Sequence, residues 1–416
     1  MSKRFGVLVA ALLVAAVACV TALAGALAQP GVTKRTIKIG GTFPLSGRAS
    51  YYAPIAVGMK AYFSYINARR DPKTHKRGVN GRQIIWTYYD DGYNPANTAQ
   101  QTRKLVEEDK VFALFGGLGT EPQQAVVDYL NQRKVPQLFV WTGATEFGAN
   151  YKTKPYTIGW QPDYFAEGRI YGKYASANWP TKKIAVIYQN DDYGKNYLDG
   201  LKAGLGSRAS NIVTTQGVAV TDTSVASQIA AIRQSNADVI AIFATPAPTI
   251  LIYGTMKALR YRPDEVILNS VSANEVIMKL ALANADAATI NGSISATYVK
   301  DPGSPQYAND ANIKLYKRIM AKYAPNMDPN SSFPYSGVAK AYDIVKVLQA
   351  AGANPTRARL VAISRRMNWV NPFLLPGMKV KTSANDPFPV SQVKLIRFNN
   401  GLWSEFGALI DGRAGT

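Results

Sequence analysis

The stretch LFGGLGTEPQQ, Leu114 to Gln124, places three glycines and a threonine directly behind the apolar run VFALF. A glycine-rich turn between a strand and a helix presents free backbone N–H groups and the positive end of a helix, which together suit an anion. A dinucleotide is excluded, because Gly117-Leu118-Gly119 continues into Thr120-Glu121-Pro122 and the third glycine of G-x-G-x-x-G is missing. A Walker A loop is excluded as well, since no Gly-Lys-Ser/Thr tripeptide occurs. Capping chemistry remains: Thr120 reads as the N-cap, Pro122 falls in the first turn, and Gln123 completes a Thr-x-x-Gln capping box. Two readings stay open at this loop, a carboxylate site at a helix end and a tight turn that only starts a helix. Glu121 puts a negative charge at the same helix end.

Catalytic chemistry finds little support. His75 is the only histidine and lies in the polar loop DPKTHKRGVNGR; no nucleophile–base pair or metal set has useful spacing to it. Asp90-Asp91 and Asp191-Asp192 could hold Ca²⁺ or do acid–base work, but an Asp pair behind a strand more commonly caps the next helix. No metal, cofactor or catalytic residue is expected, and the chain is not read as an enzyme. Tyr51, Tyr52, Trp141, Trp160 and Tyr193 all fall in loops behind strands, and as a group they suggest a pocket with aromatic walls.

These residues must be carried by an alternating chain. From Thr36 onward, short β-rich runs (TIKIGGTF, RQIIWTYYDD, VFALFGG, VPQLFVWTGA) alternate with helix-length amphipathic stretches such as YAPIAVGMKAYFSYINARR. The pattern resumes through KKIAVIYQND, NIVTTQGVAV, DVIAIFATP and EVILNSVSA. This predicts an α/β fold, with parallel sheets flanked by helices on both faces. About ten strands are too many for one ordinary doubly wound sheet, so two Rossmann-like lobes are expected, with a boundary in GANYKTKPYTIGWQPDY. Three consecutive helices follow INGSISATYVKDPGSP, and Asn400-Gly401 between two alternating runs predicts a closing hairpin. In open parallel sheets, ligands bind beyond the carboxyl ends of the strands. That directs attention to the loops around Tyr52, Gly119-Thr120, Trp141 to Thr145, Asp191 to Lys195, Thr245 and Ser272.

The chain has 416 residues, 47% of them hydrophobic, enough for a sizeable core. Lys3 and Arg4, the uncharged stretch Phe5 to Leu27 and the small-x-small end Ala26-Leu27-Ala28 read as a secretory signal, residues 1–28, cleaved after Ala28. An uncleaved anchor and lipidation at Cys19 are the alternatives. Cys19 is the only cysteine, so a cleaved chain would have no disulfide, Cys metal site or thiol nucleophile. Val239–Tyr253 comes nearest to a further membrane span, but two prolines divide it into a strand and a helix start. The net charge of +21 becomes +19 without Lys3 and Arg4 (21 − 2). Its basic residues are scattered and not interleaved with aromatics, so no nucleic-acid partner is expected. The expected product is an exported, soluble monomer.

The loops, in this order, resemble those of the periplasmic solute-binding proteins of ABC importers, of the leucine/isoleucine/valine-binding type with the type I periplasmic binding protein fold. IKIGGTFPLSG is similar to that family's opening strand and turn, GGLGTEP stands where it has a Ser/Thr-rich loop, TGAT resembles its small-x-Thr loop, and IAVIYQNDDYGK its lobe-two strand with a Tyr-Gly turn. The resemblance implies two lobes joined by a three-crossover hinge with the ligand cleft between them. Lobe one would comprise 36–158 plus 297–372, and lobe two 159–296 plus 373–416. It also implies a small-molecule solute delivered to the membrane subunits of an ABC permease in the periplasm. Carried over by position, Tyr52 would be an aromatic wall, Gly119 and Thr120 would hold the solute carboxylate, Gly143 and Thr145 its polar head, and Tyr193 would close from lobe two.

The sequence departs from the amino-acid binders where they hold the ammonium group: those places contain Ser272 and Thr245. A buried ammonium without a carboxylate partner costs several kcal/mol. Glu121 or Asp163 could supply the charge, Trp141 could add a wall, or the solute could be an aromatic or aliphatic acid or an amide. A ligand-sensing module for a receptor and a secreted α/β hydrolase are the competing functions.

Overall fold

The alternating pattern folds into two parallel sheets. In the computed structural model, which describes residues 29–384 and 386–413, the first sheet contains β1 (Thr36–Phe43), β2 (Gln83–Asp90), β3 (Ala113–Phe115), β4 (Gln137–Val140) and β5 (Thr157–Gly159). Their spatial order is β2-β1-β3-β4-β5, every pairing parallel. The second sheet contains β6 (Ile184–Gln189), β7 (Ile212–Val218), β8 (Val239–Phe243), β9 (Glu265–Leu268) and β10 (Ile294–Thr297). β8, VIAIF, is buried at all five positions, as a strand covered by helices on both faces must be. The signal segment, with Lys3, Arg4, Cys19 and Ala28, lies outside the described residues.

The chain leaves the first sheet after β5 and returns after β10 through helices Ala311–Tyr323, Ser332–Ala351 and Arg357–Ser364, the second of which packs on helix Ala53–Ala68. It then passes the short ribbon of β11 (Asn368–Trp369) and β12 (Val380–Lys381) and crosses back to β13 (Gln392–Asn399) and β14 (Leu402–Asp411). These two strands complete the second sheet in the order β14-β13-β10-β9-β8-β6-β7 and are antiparallel to their neighbours. Asn400 and Gly401 form the expected hairpin turn, both with positive φ. The lobes are therefore linked by three crossovers.

A buried carboxylate gathers the crossovers. Asp343, on helix Ser332–Ala351, is 0% exposed. Its oxygens accept from the indole N–H of Trp160, just after β5 (2.8 Å), and from Trp369 (2.7 Å) and the Asn371 amide (2.9 Å) on the third crossing. Tyr298, following β10, sets its ring edge-on to Trp160 at 5.8 Å. One turn earlier on the same helix, buried Lys340 donates to the Phe139 carbonyl at 2.9 Å and stands 3.7 Å from the centre of the Trp141 ring.

In lobe two, helices Tyr164–Asn178 and Asp192–Leu205 meet along a glycine seam. A Cβ at Gly168 or Gly172 would lie 2.4 Å from the Tyr197 carbonyl oxygen or 2.3 Å from that of Leu201. At Gly200 and Gly204 it would lie 2.1 Å from the carbonyl oxygens of Phe165 and Arg169. The two backbones touch, which no larger residue allows.

Candidate functional site

The strands of each sheet end toward the other lobe, and their loops line a cavity between the lobes that is partly open to solvent. Lobe one contributes Tyr52, Gly119, Thr120 and Trp141, and lobe two contributes Tyr193 and Thr245. Tyr298, on the crossing after β10, and Phe333, on helix Ser332–Ala351, complete the aromatic lining, with Phe333 meeting the Tyr52 ring edge-on at 5.5 Å. The lobes touch on both rims. On one, Gln124 Nε2 donates to Asp192 (2.7 Å) and the Thr145 amide to Asn196 Oδ1 (2.9 Å). On the other, the Ser332 amide and hydroxyl donate to the Glu275 carboxylate at 2.8 and 2.9 Å.

The glycine-rich turn is built differently from the capping box expected of it. The N-cap is Gly119, at φ +106°, and Thr120 is the first helical residue, with no side-chain cap. The reason lies in partners distant in sequence. Residues 117–119 extend the sheet beside Trp141, whose amide donates to the Gly117 carbonyl and whose carbonyl accepts from Gly119. That extension forces the left-handed turn at Gly119, where a Cβ would also lie 2.7 Å from the Tyr93 ring. The Thr120 hydroxyl pairs with Thr142 Oγ1 at 2.7 Å, and the Gln123 amide turns beneath the loop to Thr42 Oγ1 at 2.9 Å. The helix start survives: the first amides of helix Thr120–Gln132 have no intrahelical acceptor and sit at its positive end.

Thr120 is 1% exposed and Tyr193 2%, and the Tyr193 hydroxyl is buried without a hydrogen-bond partner. The hydroxyls of Tyr52, Tyr93 and Tyr164 stand close to it, and burial raises the phenol pKa of all four. This end of the cavity therefore offers neutral donors and a helix end to an acceptor.

Several candidates lie off the lining. Gly143 is beneath it, its carbonyl accepting from the Tyr164 amide. Thr145 faces Asn196 on the rim. Asp163 caps helix Tyr164–Asn178 through the Ala166 amide at 2.8 Å. Ser272 is fully buried and donates to the Ala244 carbonyl at 2.7 Å, and Glu121 is exposed. Thr245 lines the cavity but gives its hydroxyl to Gln189 Oε1 at 2.9 Å. Trp160 lies buried against Trp141, Tyr51 is exposed, and His75 sits in an exposed loop. Asp191 caps helix Asp192–Leu205, and Asp90 holds the amides of Leu45, Ser46 and Gly92, so both Asp pairs serve turns. Sequence reasoning missed Tyr93, Tyr164, Tyr298, Phe333, Glu275 and Asp301. Tyr93 behind β2, Tyr164 behind β5, Glu275 behind β9, and Tyr298 and Asp301 behind β10 all follow strands, which is the signal that could have found them; Phe333, on helix Ser332–Ala351, had none.

Two α/β lobes joined by three crossovers, with a cavity between them, give the architecture of a two-lobed binding protein. Residues 36–402 match the periplasmic binding protein family, and the chain belongs to it. A protein of Brucella abortus described as Leu/Ile/Val-binding protein homolog 2 is 23% identical over 338 residues, 81% of this chain and 84% of that one. The fold is shared with a branched-chain amino acid ABC transporter protein of Thermus thermophilus with bound valine (TM-score 0.78, 15% identity, 91% of this chain and 97% of that one). It is shared too with a fatty acid ABC transporter substrate-binding protein of Thermomonospora curvata (TM-score 0.73, 22% identity, 92% and 94%).

Proposed function

We propose that this chain is the extracytoplasmic substrate-binding protein of an ABC importer, capturing a small carboxylate-bearing solute between its lobes and passing it to a membrane permease. The observation that carries the reading is the cavity with both lobes in its walls, where the unpartnered Tyr193 hydroxyl of lobe two faces the same space as the Thr120 helix end of lobe one. Opposed groups of this kind are used together only when the lobes close. Lobe one is assigned 36–158 plus 297–372 and lobe two 159–296 plus 373–416, and the protein acts as a periplasmic monomer. Tyr52, Gly119, Thr120, Trp141, Tyr193 and Thr245 are the contact residues we assign.

The reading is tested by thermal-shift screening against amino acids, aromatic acids, short fatty acids and amides, where binding to the native state raises Tm. A folded protein that responds to nothing in this panel refutes it. For the solute found, Thr120→Ala and Tyr193→Phe should each weaken binding by about 1–3 kcal/mol, roughly 5- to 150-fold in Kd by calorimetry.

A further inference from the structure

Strand β4 carries a strained residue at the edge of the cavity. Among the described non-glycine residues with positive φ, Phe139 alone is buried, at φ +56°. A bulky side chain avoids that region, and the strain persists only where the surroundings over-determine it. The register shows what the turn accomplishes. Leu138 pairs with Ile158 and Val140 with Gly159, which leaves Phe139 as the extra residue of a β-bulge. One inserted residue exchanges the faces of the side chains beyond it. Trp141 is the first large side chain after the bulge, and it lines the cavity.

The group that holds the bulge comes from helix Ser332–Ala351. The Lys340 amine donates to the Phe139 carbonyl at 2.9 Å and to the Val140 carbonyl at 3.3 Å, the two peptide units between the bulge and Trp141. Its stem passes Gly116, where a Cβ would lie 3.5 Å from Lys340 Cδ. Its nitrogen ends 3.7 Å from the centre of the Trp141 ring and 5.0 Å from that of Trp160. Lys340 is fully buried and is not among the lining residues, so it acts on a solute only through what it holds. A methionine would fill the same space without the cost of burying an amine, so packing alone does not account for a lysine here.

The same bonds reach the helix end at Thr120. The Trp141 amide donates to the Gly117 carbonyl at 2.7 Å, its carbonyl accepts from the Gly119 amide at 3.2 Å, and Thr142 pairs with Thr120. On the solute-binding reading above, on which this inference rests, we propose that Lys340 is a positioning residue for the solute: it holds the bulge that turns Trp141 to the cavity, and with it the strand edge that carries the Gly119–Thr120 turn.

The test incorporates 5-fluorotryptophan and assigns the Trp141 fluorine resonance by its loss in Trp141→Phe. Lys340→Met keeps the length of the arm and removes the donors. It should move or broaden the Trp141 resonance and leave that of Trp179, which packs on Tyr174 in lobe two, in place. It should also weaken the tightest binder among L-leucine, benzoate, hexanoate and benzamide by about fivefold or more in Kd, a loss that disappears in a Trp141→Ala background. If Lys340→Met does not fold, Lys340→Gln, which keeps an N–H donor on a shorter arm, replaces it in both measurements. If none of the four probes binds, the resonance alone decides. A Trp141 resonance unchanged in the folded variant, or an affinity loss as large without Trp141 as with it, would overturn the positioning role and leave solute binding standing. Silence across the whole screening panel would remove both.

Discussion

Asp343→Ala should cost roughly 3–5 kcal/mol of folding stability, measured by chemical denaturation. The carboxylate is fully buried and accepts from Trp160, Trp369 and Asn371, so its removal strands two indole N–H groups and a side-chain amide in a site closed to water. It also takes the nearest anion from Lys340, whose own pKa burial already holds well below the usual lysine value. The variant should change a pH profile as well. Burial raises the Asp343 carboxyl to about 6, above the value near 3.9 of an unfolded aspartate. Between those pH values the native state holds the proton and the unfolded state does not. The contribution of this group to stability is thus full below about pH 4 and is lost as pH rises through 6. The difference in stability between wild type and variant should shrink over that interval. A difference that stays flat with pH would show that Asp343 is ionised throughout.

Gly200→Ala should destabilise the protein, against the ordinary helix preference. In an exposed helix interior this change gains up to about 1 kcal/mol. Here the new methyl would lie 2.1 Å from the Phe165 carbonyl oxygen and 2.9 Å from the Arg169 amide, both backbone atoms that move only if the helix does. Gly200→Val adds two further methyls to the same gap, and should lose about 3 kcal/mol or more by spreading the two helices. Both variants are read by denaturant midpoint. A stabilised Gly200→Ala would mean that the helices do not meet at their backbones.

Much of the fold was legible in the sequence. The strand runs of both sheets, the consecutive helices and the Asn400-Gly401 hairpin follow from periodicity and turn chemistry, which are local. The loops behind β1, β3, β4, β6 and β8 were legible for the same reason, and each brings at least one lining residue to the cavity. The cap at Thr120 was misread because its hydroxyl answers to Thr142, in a neighbouring loop that periodicity cannot place beside it. Asp301 follows a crossover and Phe333 begins a helix, places where the period of the chain says nothing about which segments converge; Glu275 ends the loop behind β9, where attention fell on Ser272, and its partner Ser332 is distant in sequence. The glycines of the seam read only as breaks in helical propensity. Spaced four apart on two helices, they were a packing signal whose partner could not be known beforehand.

The gathering of the crossovers at Asp343 has a consequence for how the molecule opens. Trp160, Tyr298, Trp369 and Asn371 represent all three crossings, and they meet around one side-chain cluster. A rotation axis should therefore pass near that cluster, with each lobe turning about it as a rigid lever. Displacement then grows with distance from the axis: the Gln124–Asp192 contact on the outer rim should sweep through the widest arc, while the indoles around Asp343 hardly move.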